Sequence, residues 1–111
     1  MAFFTRTPST DPAGLAEKLA ERSVYVLDLR QPAEWRHGHI HGSQNLPLVQ
    51  LKRRLATLPR DKMIVAVCAS GHRSKPAARA LQRAGYEVEN LRGGVHAWKK
   101  AGLPTESRRS R

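Results

Sequence analysis

Met63-Ile64-Val65-Ala66-Val67-Cys68-Ala69-Ser70-Gly71-His72-Arg73-Ser74-Lys75-Pro76-Ala77-Ala78-Arg79-Ala80-Leu81 is the stretch on which the reading of this chain turns. Its first five residues form a continuous apolar run, the pattern of a strand buried on both faces. Residues 75–81 open a helix that turns Ala77, Ala78, Ala80 and Leu81 inward. The single cysteine therefore stands where a strand ends and a helix begins. In an open α/β sheet that edge is where ligands bind.

The chemistry follows from the position. The first N–H groups of a helix have no intrahelical partner, and the helix dipole is positive there. A tight loop feeding that end adds further N–H groups, making an anion cradle. A thiolate at the mouth of such a cradle has a lowered pKa and is nucleophilic near neutral pH. Gly71 permits a conformation that other residues resist. Arg73 adds positive charge, and the Ser74 hydroxyl can cap the helix or donate to the sulfur. The competing reading is an inert cysteine closing a core strand. It leaves the Gly, Arg and Ser that follow without a purpose.

With 111 residues the chain has room for one domain with a real core. One cysteine excludes an internal disulfide and a multi-cysteine metal site. It also leaves no resolving thiol, so a group carried on Cys68 must depart to a separate molecule. The N-terminal Met-Ala-Phe-Phe-Thr-Arg-Thr-Pro has no long apolar segment, so neither a signal peptide nor a membrane span is expected. A reactive lone thiol suits a reducing cytoplasm. The net charge of +11 favours anionic substrates or acidic partner proteins. Nucleic acid is not the expected partner, because aromatic residues are only 5% and none interleaves with the basic clusters.

Outward from the cysteine, strands and helices alternate. Asp11-Pro12 reads as a helix start, with Leu15, Ala16 and Leu19 as its apolar stripe and an end near Arg22. Residues 24–29 form a second apolar strand, with Asp28 and Arg30 where it emerges. Residues 32–35 suggest one helical turn. Leu48, Leu51, Leu55 and Leu58 repeat at helical spacing up to Pro59. Gly85 suits the end of the helix after the cysteine loop. Tyr86 and Val88 alternate into a strand ending near Leu91, Gly93-Gly94 make a turn, and Val95, Trp98 and Ala101 line a last helix closed by Gly102 and Pro104. The pattern predicts an α/β fold with a mostly parallel central sheet and helices on both faces, in three layers. Residues 1–10 read as an extension, 11–104 as the domain, and 105–111, with Arg108, Arg109 and Arg111, as a basic disordered tail.

His37, His39 and His41 alternate in a glycine-rich loop and would share a face if extended. With no acid or thiol close in sequence, they read as locally packed histidines rather than metal ligands.

Taken together, these residues resemble a single-domain rhodanese. The resemblance runs from about Val24 to Pro104. It is carried by Leu27-Asp28-Leu29-Arg30 with Glu34, by Gly38-His39-Ile40-His41-Gly42-Ser43-Gln44-Asn45-Leu46-Pro47, by the Cys68 loop, and by Leu91-Arg92-Gly93-Gly94-Val95-His96-Ala97-Trp98 followed by Gly102-Leu103-Pro104. It implies the rhodanese fold and ping-pong sulfur transfer through a Cys68 persulfide, with no cofactor and no metal. Thiosulfate or a protein persulfide would be the donor, and a thiol or cyanide the acceptor. The amides of residues 69–73 (Ala69, Ser70, Gly71, His72, Arg73) would bind the outer sulfur, with Ser74 helping. Asp28 and Arg30 would be supporting residues, and the resemblance implies charge pairing of Asp28 with Arg73.

One departure bears on the donor. Thiosulfate-using members often carry basic side chains directly after the cysteine, where this chain has Ala69 and Ser70, so a dianion should bind less well. Two rival functions remain open. A cysteine-dependent phosphatase or arsenate reductase also uses a cysteine loop ending in arginine, but a loop longer by one residue than the four between Cys68 and Arg73. A non-catalytic docking module would have no need of the loop.

Overall fold

Val24–Asp28 (β2) and Met63–Val67 (β4) run parallel in matched register, Val24 opposite Met63 and Asp28 opposite Val67. In the computed structural model, which describes residues 7–108, this pair is the centre of a five-stranded sheet. Val88–Leu91 (β5) flanks β4, and Gln44–Asn45 (β3) flanks β2. Ser9–Thr10 (β1) completes the order β1-β5-β4-β2-β3, and every pairing is parallel.

Burial on both faces explains the apolar strands. Ile64 and Ala66 face one core with Leu27, Leu51, Leu58, Ala77, Ala78 and Leu81. Val65 and Val67 face the other with Leu15, Val26, Ile40, Leu91, Val95 and Trp98. Successive side chains point to opposite faces, so one strand feeds both layers. The helices Leu51–Arg54 (α3) and Ser74–Arg83 (α4) cover the first core, and Pro12–Ala20 (α1) and Gly94–Lys100 (α5) the second. The expected three-layer α/β architecture is the observed one.

Local signals behave as read at several points. The Asp11 carboxylate accepts from the Gly14 N–H at 2.8 Å and caps α1. Gly85, with φ of +93°, follows the end of α4.

Other expectations are corrected. The leucine repeat is not one helix. It divides into a 3-10 turn (Leu48–Gln50), the single turn of α3, and a second 3-10 turn (Leu55–Thr57). The break begins where the Leu48 N–H bonds the Leu29 carbonyl at 3.0 Å, tying the segment to the end of β2. Leu48 is left exposed, while Leu51 and Leu58 are buried. Tyr86 lies before β5: its N–H donates to the Leu81 carbonyl at 3.1 Å, closing the end of α4. The turn near Trp35 extends to the helix Pro32–His37 (α2). Ala101 lies beyond α5 and is exposed.

The ends of the chain also do more than the sequence suggests. Ser9 and Thr10, read as part of an extension, add β1 to the sheet. Residues 105–108, read as disordered tail, are strapped down. Glu106 and His39 exchange both backbone hydrogen bonds at 2.9 Å, and the Arg108 N–H donates to the Arg36 carbonyl at 2.8 Å. Residues 109–111 lie outside the described part. No helix among the described residues is long and apolar enough to cross a membrane.

Candidate active site

The matched register of β2 and β4 brings Asp28 and Val67 level at one edge of the sheet, and Cys68 is the next residue. After the five loop residues 69–73 the chain enters α4, whose first residue is Ser74. The loop must turn sharply, and Gly71 takes φ of +91° to do so. A side chain there would be strained and would press on the Gly93 N–H, 2.9 Å from an added Cβ.

The turn aims donors at the sulfur. The Gly71 N–H reaches Cys68 Sγ at 3.1 Å, and the Ser74 N–H and hydroxyl each reach it at 3.3 Å. Burial disfavours the charged thiolate. Hydrogen bonds from the Ser74 hydroxyl and from the Ser74, Ser70 and Gly71 N–H groups outweigh it, holding the Cys68 thiol below its ordinary value. The sulfur lies at the floor of the cradle rather than at its mouth: Cys68 is fully buried, roofed by the loop that donates to it. The amides nonetheless point inward, which separates this cysteine from one merely packed in a core.

The base of the loop is fixed by α5. The Val95 N–H donates to the Cys68 carbonyl at 2.9 Å and the His96 N–H to the Ala69 carbonyl at 3.0 Å. Two of the free N–H groups at that helix start are thus spent on loop carbonyls. On the outer rim Ser70, His72 and Arg73 are exposed, and Ser70 Oγ lies 3.0 Å from His72 Nδ1.

Known proteins resemble this chain along most of its length. Residues 11–101 match the family model described as Rhodanese-like domain. The chain belongs to the rhodanese-like domain family. It is 40% identical over 96 residues to a sulfurtransferase of Allochromatium vinosum, covering 85% of this chain and 90% of that one. The crystal structure of a rhodanese-related protein from Thermoplasma volcanium is similar with a TM-score of 0.85 at 33% identity, covering 89% of this chain and 97% of that one. That of a thiosulfate sulfurtransferase from Pseudomonas aeruginosa is similar with a TM-score of 0.84 at 34% identity. There the likeness covers 99% of this chain but only 21% of the longer protein.

Within this rhodanese-like domain the supporting charges pair differently from the expectation. Asp28 does not meet Arg73. Arg30 grips Asp28 through Nε at 3.0 Å and Nη2 at 2.8 Å, and Nη2 also donates to the Gly38 carbonyl at 2.8 Å. Both side chains are buried, and the pair ties the end of β2 to the loop after α2. Arg73 instead lies 3.4 Å from Glu34 on the rim, with both partly exposed. The reason is reach: Arg30 lies two residues along the same turn, while Arg73 points out from the start of α4. Glu34 is desolvated, yet the Gln31 N–H and Arg73 hold its carboxyl below the usual range.

The three loop histidines do not converge. His37 Nδ1 lies on the Ala33 carbonyl at 2.7 Å and His39 Nδ1 on the Trp35 carbonyl at 2.6 Å, with His39 stacked on Trp35 at 3.8 Å. An acid does arrive, contrary to the expectation: Glu106 reaches His41 at 2.8 Å and His39 at 3.4 Å. It comes from 65 residues away, beyond any local reading. Among the described residues no group of three or more His, Cys, Asp and Glu side chains is arranged to hold a metal ion.

One residue beside the sulfur escaped the sequence reading altogether. Asn90, buried on β5, approaches the Ser74 hydroxyl at 2.5 Å and the Gly71 carbonyl at 3.2 Å. The available signal was a polar residue two places from Val88 in an otherwise buried strand, hence on the same face.

Proposed function

We propose that this protein carries a sulfane sulfur on Cys68, taking it from thiosulfate or a protein persulfide and passing it to a thiol or cyanide. The observation that carries the reading is the convergence of the Gly71 N–H and both Ser74 donors on one sulfur, at 3.1–3.3 Å. The family membership and sulfurtransferase-named relatives support the same reaction class.

In the first half-reaction the Cys68 thiolate attacks the outer sulfur of thiosulfate. A new S–S bond forms, the S–S bond of thiosulfate breaks, and sulfite leaves with the electron pair. The negative charge then rests on the outer persulfide sulfur, for which the loop amides are the available donors. In the second half-reaction cyanide or a thiolate attacks that outer sulfur, and the Cys68 thiolate is the leaving group. Since Cys68 is fully buried at rest, the donor enters past Ser70, His72 and Arg73, the exposed rim.

Ala69 and Ser70 supply no cation for a dianion, and the Arg73 guanidinium faces Glu34. Thiosulfate is therefore the convenient donor in vitro, while a persulfide on an acidic protein suits the chain's net charge of +11. The outward course of Arg73 disfavours the phosphatase reading, which needs that guanidinium on an oxyanion inside the loop. The lowered thiol pKa disfavours a purely docking role.

The test is intact-protein mass spectrometry after exposure to thiosulfate. The wild type should gain one sulfur that cyanide removes, and Cys68→Ser should gain none. Sulfur transfer that survives Cys68→Ser would overturn the reading.

A further inference from the structure

The Ser74 hydroxyl holds one proton and faces two acceptors. Asn90 Oδ1 lies at 2.5 Å and Cys68 Sγ at 3.3 Å. The orientation of the Asn90 amide is not free. Gly71 offers a carbonyl oxygen, which only accepts, so the Asn90 NH2 must face it, at 3.2 Å. The amide oxygen must therefore face Ser74. Asn90 and Ser74 are both buried, so the competition is settled among these groups.

We propose that Asn90 is a positioning residue that alternates with the Cys68 sulfur for the Ser74 proton, and so sets the balance between free and sulfur-loaded protein. The proposal rests on the sulfur-carrier reading above for its second half only.

Three states of the sulfur make different demands. As a thiol, Cys68 can donate S–H to Ser74 Oγ while Ser74 donates to Asn90, and every group is satisfied. As a thiolate, the sulfur can only accept. If Ser74 turns to it, Asn90 Oδ1 faces a lone pair; if Ser74 stays with Asn90, the thiolate keeps only its N–H donors. As a persulfide, the charge moves to the outer sulfur and Sγ becomes a neutral, weak acceptor. Ser74 then returns to Asn90 at no loss. Asn90 thus penalises the naked thiolate and spares both the thiol and the loaded form. It touches no substrate and acts through Ser74.

The surrounding charges do not enter the comparison. Asp28 and Arg30 hold each other, Arg73 meets Glu34, and His72 sits beside Ser70; none of these contacts involves Asn90.

The experiment is a pH titration of thiolate formation, by absorbance near 240 nm and by alkylation rate, on Asn90→Leu and Asn90→Ala. Freeing Ser74 for the sulfur should lower the thiol midpoint by about one pH unit, the effect of one hydrogen bond to a charged acceptor. The equilibrium constant for loading from thiosulfate against sulfite should fall about tenfold for the same reason. In a Ser74→Ala background the Asn90 substitutions should no longer move the midpoint. A merely structural role has the opposite sign: a loosened cradle loses donors and the midpoint rises. A rise, or an unchanged shift without Ser74, overturns the proposal. Should both variants fail to fold, NMR on the wild type decides. The Asn90 side-chain amide signals should move as the thiol ionises and return when sulfur is loaded, and invariance would sink the idea. A wild type that never gains sulfur counts against the sulfur-carrier reading, while the direction of the midpoint change still decides the role of Asn90.

Discussion

Gly94 packs so closely on Cys68 that a side-chain carbon at Gly94 would overlap the Cys68 carbonyl oxygen and stand 2.6 Å from the Ala69 carbonyl oxygen. The first turn of α5 can supply N–H groups to those carbonyls because nothing projects between them. The loop that holds the sulfur is therefore clamped from below by a helix distant in sequence.

Gly94→Ala should accordingly disturb the loop and not just the backbone at φ of +60°. We expect a loss of about 2–3 kcal/mol in chemical denaturation, together with slower sulfur transfer. Gly42→Ala is the control. It has φ of +82° but no atom within 4 Å of an added Cβ, so only about 1 kcal/mol should be lost and transfer should be intact. Equal losses at the two positions would show that close approach plays no part.

The cradle makes the thiol acidic against the opposing pull of burial. Alkylation of Cys68 should follow a midpoint below that of an unperturbed thiol. Ser74→Ala, which removes the largest stabilising contact, should raise that midpoint by about one unit. The sign for stability follows: a lowered pKa favours folding above the ordinary thiol range, and that contribution is lost as pH falls through the folded value. A midpoint at or above that of a free thiol would contradict the geometry.

Two arginines near the loop should behave in opposite ways. Arg30→Met strands the buried Asp28 carboxylate and should cost about 3–5 kcal/mol, with Asp28→Leu in the same chain recovering much of the loss. Arg73→Met breaks an exposed pair and should change stability by less than about 1 kcal/mol. Because Glu34 already holds the guanidinium, KM for thiosulfate should rise only modestly, with kcat little changed. Thermal denaturation and steady-state kinetics on the same three variants would separate the roles.

The strap at residues 105–108 should be acid-sensitive. The hydrogen bond from His41 first, and the charge of both histidines after it, hold the Glu106 carboxyl below its ordinary value. Such a contact contributes above the usual carboxylate range and is lost as pH falls through the lowered value. Hydrogen exchange at the His39 and Glu106 amides, which bond each other across the strap, should accelerate in that acid window. Glu106→Gln should accelerate it already at neutral pH, and exchange indifferent to both would remove the side chains from the account.

The contrast among these residues shows where sequence reading works. The Met63–Val67 strand, the Asp11 cap and the glycine after α4 are local events, set by alternation, by a side chain three residues from its partner, and by one backbone angle. The leucine repeat misled because the same spacing serves a helix or a chain of short turns. A long-range bond from Leu48 to Leu29 chose the second.

By itself, the sequence determined the order of the three inner strands, the place of Cys68 at a strand-to-helix edge, and the family motifs around it. Each of these is written in neighbouring residues. Only the tertiary structure decided which charges pair, that the sulfur lies beneath its loop, and that Asn90 reaches the Ser74 hydroxyl. Those outcomes depend on which strands lie side by side: β5 next to β4 puts Asn90 against Ser74, sixteen residues away in the chain. Spacing along the chain does not encode such a meeting, because the sheet pairs residues by register and not by order.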